Sequence, residues 1–357
     1  MIGWYRKVAV ILALILPLST NTLHAREVLD VPATARWKHA ATGIILNPVM
    51  AGLSRSEMAV SAPMELDIQA QYRVSNGETF ATVFIFRPAA GDLALWFDRS
   101  TAMITASDRW TIESTLGSGA VALPASDVPG ALQAVYATGG GTFRSTAVML
   151  VPMGDWIAKI RMSSDSLGAP ELKDKLDEFV RQISWPELTR TAGAVSPVAQ
   201  CSSALSFGKS AKPIRASRDN AMGNALLGAV LSMTAAKKKA DADASAPIWC
   251  RDSVVGSHGV YRSSDDDTKG YLLAFGDAGR AASVQPAHGL LDTSQTRRKS
   301  FAVTAFQIDR IFHYPDYDRL VPPQQLLEII EKASPVSSVS TVGDNNTITL
   351  GGGGARR

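Results

Sequence analysis

The stretch LDIQAQYRVSNGETFATVFIFR, residues 66–87, decides how the first half of this chain folds. Leu66, Ile68, Ala70 and Tyr72 alternate with Asp67, Gln69, Gln71 and Arg73. Successive side chains of a strand point to opposite faces, so this pattern predicts a strand with one wet face. Asn76-Gly77 then supplies the two positive-φ positions of a type I′ hairpin turn. The returning run, Phe80 to Phe86, is apolar or small on both faces, which predicts a central strand covered on both sides. An antiparallel hairpin is therefore the starting unit of the first half.

The segments that follow extend it. DLALWFDRSTAMITA (92–106) predicts a helix, with Asp92 capping its first free N–H groups and Leu93, Trp96, Phe97 and Met103 mainly on one side. LGSGAVALPASDVPG (116–130), rich in Gly, Ser and Pro, predicts a loop. STAVMLV (145–151) and WIAKIRM (156–162) predict a second hairpin through Pro152-Met153-Gly154-Asp155, with Lys159 and Arg161 on one face. In APELKDKLDEFVRQISWP (169–186), Leu172, Leu176, Phe179, Val180 and Ile183 recur at helical spacing. Pro170 suits the first turn, and Trp185-Pro186 ends the helix. The order hairpin, helix, loop, hairpin, helix predicts an α+β domain: an antiparallel sheet covered by helices, sandwich-like, over residues 26–188.

On these elements, residues 40–187 resemble the PsbP/Mog1-like group of α/β/α sandwiches. GDWIAKIRMSS leading into a final helix that ends near Trp-Pro carries the resemblance. The group has no shared catalytic residues to carry over. The resemblance implies a binding or accessory role rather than catalysis, although a fold alone never fixes function.

Residues 189–200 mix Thr, Ala, Ser and Pro and read as a linker. A second, smaller and mostly β domain is expected over 201–335, with a flexible insert near 235–247. NAMGNALLGAVLSMTAA (220–236) suits a helix too short to span a bilayer. KKKADADASAP (237–247) reads as a solvated loop. HGVYR (258–262) and YLLAFG (271–276) suit a hairpin, and SFAVTAFQIDRIF (300–312) alternates Phe301, Val303 and Ala305. PPQQLLEIIEKA (322–333) predicts a short helix burying Leu326, Leu327, Ile329 and Ile330. The tail, 336–357, offers an edge strand in SSVSTVGDNNTITL and ends in GGGGARR, which has nothing to bury and is expected to be disordered.

Residues 1–25 have the three zones of a secretory signal peptide: the cations Arg6 and Lys7, an apolar run from Val8 to Leu18, and a polar stretch ending at Ala25. The expected cut lies between Ala25 and Arg26. The apolar run is short for an uncleaved anchor, and no Cys follows it to carry a lipid. Cleavage leaves a net charge of +1 instead of +3. So small a charge does not advertise a nucleic-acid or anionic-membrane partner. The only cysteines are Cys201 and Cys250. In an oxidising compartment a lone pair is most simply a disulfide, and the absence of a CxxC spacing argues against a reactive thiol.

Motifs that carry chemistry are scarce. After the expected cut, His39, His258, His288 and His313 are scattered, without the paired spacing of a zinc site, and no metal or cofactor is expected. Asp265-Asp266-Asp267 lacks the ligands of a calcium loop at its fifth and twelfth positions, where Lys269 and Gly276 stand. No GxSxG elbow exists, and adjacent Ser257-His258 is not a triad, which is assembled in space. TGGGTFRS (138–145) and GDAGRAA (276–282) lack phosphate-loop spacing and read as turns. Titratable and aromatic side chains are densest around FQIDRIFHYPDYDR, where Asp309, His313, Tyr314 and Asp316 are the candidate pocket residues.

Three readings of function remain, one of them structural, with the Ala221–Ala236 segment docking on a membrane or complex. The first is an exported, periplasmic or secreted, non-enzymatic protein that binds a protein or small-molecule partner in the cell envelope. It has no nucleic-acid partner and no transmembrane helix after cleavage. The second is an exported hydrolase with a site near His313.

Overall fold

The computed structural model describes residues 26–75, 77–124, 126–190, 192–214, 248–263, 270–287, 300–342 and 347–350. Outside the described residues lie the leader 1–25 with its cut side at Ala25, Asn76, the expected helix 220–236, and the lysine-rich 237–247. Asp265–Asp267, His288 and GGGGARR lie outside them too.

The first half supplies β1 (Glu27–Val28), β2 (Trp37–Lys38), β3 (Ile45–Leu46), β4 (Val49–Met50), β5 (Leu53–Val60), β6 (Asp67–Arg73) and β7 (Thr79–Phe86). Helix α1 (Leu93–Thr105) follows, then β8 (Thr111–Val121), β9 (Ala131–Gly139), β10 (Ser145–Met153) and β11 (Trp156–Ser164). Helices α2 (Ala169–Arg181) and α3 (Glu187–Arg190) close it. The main sheet is antiparallel in the order β1-β5-β6-β7-β11-β10-β9-β8, with β4 beside β5. The hairpins predicted at 66–87 and 145–162 are β6–β7 and β10–β11, and β7 pairs with β11 to join them. Gly77 is left-handed at φ 80° and its N–H donates to Val74 O at 3.0 Å, so the turn runs over 74–77; Asn76, the other position of the expected type I′ pair, lies outside the described residues.

The two faces are covered differently. Ile68, Ala70, Tyr72, Val83, Ile85, Ala158 and Ile160 pack with Leu172, Leu176 and Phe179 of α2. On the other face Leu132, Ala134, Val148 and Leu150 pack with Leu95, Trp96 and Phe97 of α1. Asp92 caps α1 as expected, accepting from Leu95 N at 3.0 Å. Pro170 stands in the first turn of α2.

The second half adds β12 (Ala199–Gln200), β13 (Trp249–Val255), β14 (His258–Ser263), β15 (Tyr271–Phe275), β16 (Arg280–Pro286), β17 (Phe301–Phe306) and β18 (Arg310–His313). Helix α4 (Pro323–Lys332), β19 (Ser337–Ser340) and β20 (Ile348–Leu350) complete it. These nine strands form a sheet in sequence order, so the strands at 337–350 continue the sheet rather than begin a tail. Leu326 and Ile329 of α4 are buried against it, with Leu327 and Ile330 half-buried beside them. Cys201 and Cys250 form a disulfide where β12 runs parallel to β13.

The expected α/β/α sandwich, a sheet covered by helices, does not form. Strands take 44% of the described residues and helices 16%. The reason is reach. A helix of 13 residues is about 20 Å long and lies over only a few strands. The remainder of the α1 face is covered by the second sheet instead: Tyr261, Leu272, Ala274 and Ala281 share one apolar cluster with α1 and the first sheet. The expected loop at 116–130 is also corrected, since β8 runs to Val121 and pairs along its length with β9. It is an edge strand, exposed on both faces, so burial imposes no alternation on its sequence. Bulges between Ile112 and Ser114 and between Thr115 and Gly117 blur the period further.

Candidate site between the two sheets

The site begins with Lys159 and Arg161, two residues apart on β11 and therefore on one face. Across the ladder, Lys159 stands opposite Phe84, and Phe84 opposite Gln69. One row away, Ile157 stands opposite Phe86 and Phe86 opposite Asp67. The polar face read on β6 is thus the inner one, where the second sheet arrives. The tight turn between β15 and β16, Gly276–Gly279, lands on it: Ala89 N donates to Gly279 O at 2.8 Å. Gly279 has φ 82°, and a Cβ there would lie 3.0 Å from Phe86 and from the backbone of Pro88. The approach therefore requires glycine.

Asp277, at the tip of that turn, meets Lys159. The ammonium lies 2.9 Å from the carboxylate and 2.8 Å from the Asp277 carbonyl, and 4.7 Å from the Phe84 ring centre. Burial pushes the Lys159 ammonium below its ordinary range, with Asp277 opposing. Burial pushes the Asp277 carboxyl up, but Lys159, Arg161 and Arg99 outweigh it and hold the group below its ordinary range. Asp67 is raised by burial, against the pull of Arg280 3.6 Å away and of Lys159. Beside these groups lies a cavity of about 140 Å³ lined by Asp67, Gln69, Phe84, Lys159, Arg161 and Asp277, among others.

Helix α1 fixes how the sheets meet. Asp98 accepts from Tyr261 at 2.6 Å and from Arg251 at 2.9 Å. Arg99, 1% exposed, donates to the carbonyls of Gly276, at 3.0 Å, and of Ser257. One turn of helix thereby holds both hairpin turns of the second sheet that face it.

The residues named from sequence lie elsewhere. Asp309 is in the turn between β17 and β18, where its carbonyl accepts from Thr341 N. His313 ends β18, its Nε2 buried without a partner among the described residues and its pKa lowered by burial. Tyr314 is buried in the second core with Tyr317, and the Asp316 carbonyl accepts from Ile214 N. Among the described residues no hydrogen bond or ion pair joins Asp309, His313 and Asp316, and none of the four lines the cavity between the sheets. Nor do the described residues contain a group of three or more His, Cys, Asp or Glu side chains placed to hold a metal. No described helix is long and apolar enough to cross a membrane.

What the sequence reading missed is Asp277, the carboxylate that meets Lys159, and the neighbouring pair of Asp67 with Arg280. Its usable signal was two cations on one face of an otherwise buried strand, which require compensation from somewhere. Compared with protein-family models, curated proteins and solved structures, the chain matches none. These comparisons neither support nor oppose the resemblance to the PsbP/Mog1-like group.

Proposed function

We propose that this chain is an exported, non-enzymatic binding protein of the cell envelope, working in the periplasm, with its ligand site in the cavity between the two sheets. The observation that carries this reading is Arg161. Its guanidinium lines the cavity and makes no hydrogen bond or close ion pair among the described residues. A half-buried cation facing a partly open cavity is a group placed to receive something. The signal-peptide pattern of residues 1–25 and the Cys201–Cys250 disulfide support export to an oxidising compartment. The hydrolase reading near His313 has less behind it, because the side chains it needs are not hydrogen-bonded to one another in the fold.

Native mass spectrometry of the protein recovered from periplasm tests the reading, followed by denaturing intact mass. The expected chain begins at Arg26, lacks two hydrogens, and carries added native mass that is lost on denaturation. A chain that retains residues 1–25 overturns the export reading. A chain that is bare, and stays bare when titrated with envelope metabolite extract, overturns the binding reading.

A further inference from the structure

The four charged side chains that line the cavity, Asp67, Asp277, Lys159 and Arg161, balance, and Arg280 beside it adds one positive charge. Two carboxylates line it, Asp67 and Asp277. Each already has a cation of its own: Arg280 at 3.6 Å from Asp67, and Lys159 at 2.9 Å from Asp277. Arg161 is the cation left over, and Arg99 and Arg109 add positive charge from just outside. The opposite character comes from the rings of Phe84 and Phe86 and from Ala278. The lining thus combines a guanidinium with its donors unused and two phenyl rings, with the Lys159 ammonium 4.7 Å from the Phe84 ring centre and 5.7 Å from that of Phe86.

We infer that the cavity binds a short-chain monocarboxylate, its two oxygens on the Arg161 guanidinium and its alkyl tail against Phe84 and Phe86. This rests on the binding-protein reading above and names its ligand class. Size sets the chain length. A cavity of about 150 Å³ holds a molecule of roughly six heavy atoms such as benzene, so 140 Å³ suits a ligand the size of butyrate. The planar fork of arginine matches a carboxylate with two parallel bonds. A cation would meet Lys159 and Arg161, and a neutral alcohol would leave the guanidinium without its charge partner. Inorganic phosphate fits less well. It has no apolar side to set on the phenyl rings, and its second charge would face Asp67 and Asp277.

The test is titration of the intact purified chain with butyrate, 1-butanol and inorganic phosphate, followed by calorimetry and by NMR shifts of the Phe84 and Phe86 rings. Butyrate is expected to bind saturably and to move both rings. Butanol is expected to bind at least about tenfold more weakly, the scale of one lost charge-assisted pair. Arg161→Gln is expected to weaken butyrate by about tenfold or more, and Arg161→Lys, which keeps charge but loses the fork, by less. Both variants should fold, because Arg161 makes no hydrogen bond in the protein, and any change in melting temperature should be limited to the lost pull of its charge on Asp277. Should Arg161→Gln not fold, the comparison of butyrate with butanol on the unaltered chain decides. The inference is overturned if butanol or phosphate binds as well as butyrate, or if folded Arg161→Gln binds butyrate undiminished. A native ligand without an acidic group would also overturn it, while leaving the binding-protein reading intact.

Discussion

Lys159 of β11 and Asp277 of the β15–β16 turn join the two sheets through one ammonium, which meets both the carboxylate and the carbonyl of the same residue at 2.9 and 2.8 Å. Only 3% of the Lys159 side chain is exposed. Taking such a charge out of water costs several kcal/mol, and its partner must come from a residue more than a hundred positions away. The pair therefore ties correct docking of the two halves to the satisfaction of a buried charge.

Removing one member of this pair is expected to be costly. Asp277→Ala leaves the ammonium buried without its carboxylate, with only the residue 277 carbonyl against it, and should cost about 3 kcal/mol in urea unfolding. Lys159→Met keeps the volume and removes the charge, so it should cost clearly less. Equal losses in the two variants would show that the pair contributes packing rather than charge compensation.

Arg99 makes a separate prediction. Arg99→Met keeps an apolar stem in α1 but leaves the carbonyls of Gly276 and Ser257 without their donor. Bonds to a charged donor contribute about 1.5–3 kcal/mol each, so a loss of about 2 kcal/mol or more is expected. Hydrogen exchange should rise first in the turns at 256–257 and 276–279, with β9 and β10 protected as before. Uniform loosening of both sheets would contradict the placement of Arg99 as the link between them.

Stability should fall in mild acid. Burial holds His39, His258 and His313 below the ordinary value of 6.5, so near that pH the unfolded chain binds protons that the folded chain refuses. Their contribution is complete above 6.5 and declines as pH drops from 6.5 toward the folded values. Asp67 and Asp316, raised by burial, act with the opposite sign closer to their ordinary value of 3.8. Urea midpoints should drop between about pH 7.5 and about pH 5.5, and drop less in His39→Gln. A flat profile over that range sinks the assignment of these imidazoles as buried and neutral.

The disulfide closes a loop of 49 residues. The chain-entropy argument gives about 4 kcal/mol for a loop of that length. The Cys201→Ser/Cys250→Ser double variant should melt well below the parent, and a reductant should lower the parent melting point but not that of the variant. An unchanged melting point on reduction would mean that the bridge constrains the unfolded chain very little.

Local chemistry was legible without a structure. The period of two in 66–73, the glycine at 77, the Asp92 cap and the spacing of Leu172, Leu176 and Phe179 each act within a few residues, so the sequence by itself determined β6, β7, α1 and α2. The half-cystines were also settled by their number and separation. Only the tertiary structure decided what covers the sheet. Strand β8 bears no burial pattern because neither of its faces is covered, and the second sheet takes the place that helices were expected to fill. The site was undecided for the same reason. Lys159 and Arg161 were visible as two cations on one face, but Asp277, which meets Lys159, lies in a turn that reads as any other turn. Charges so far apart along the chain become one cluster only when burial of the α1 face brings the sheets together.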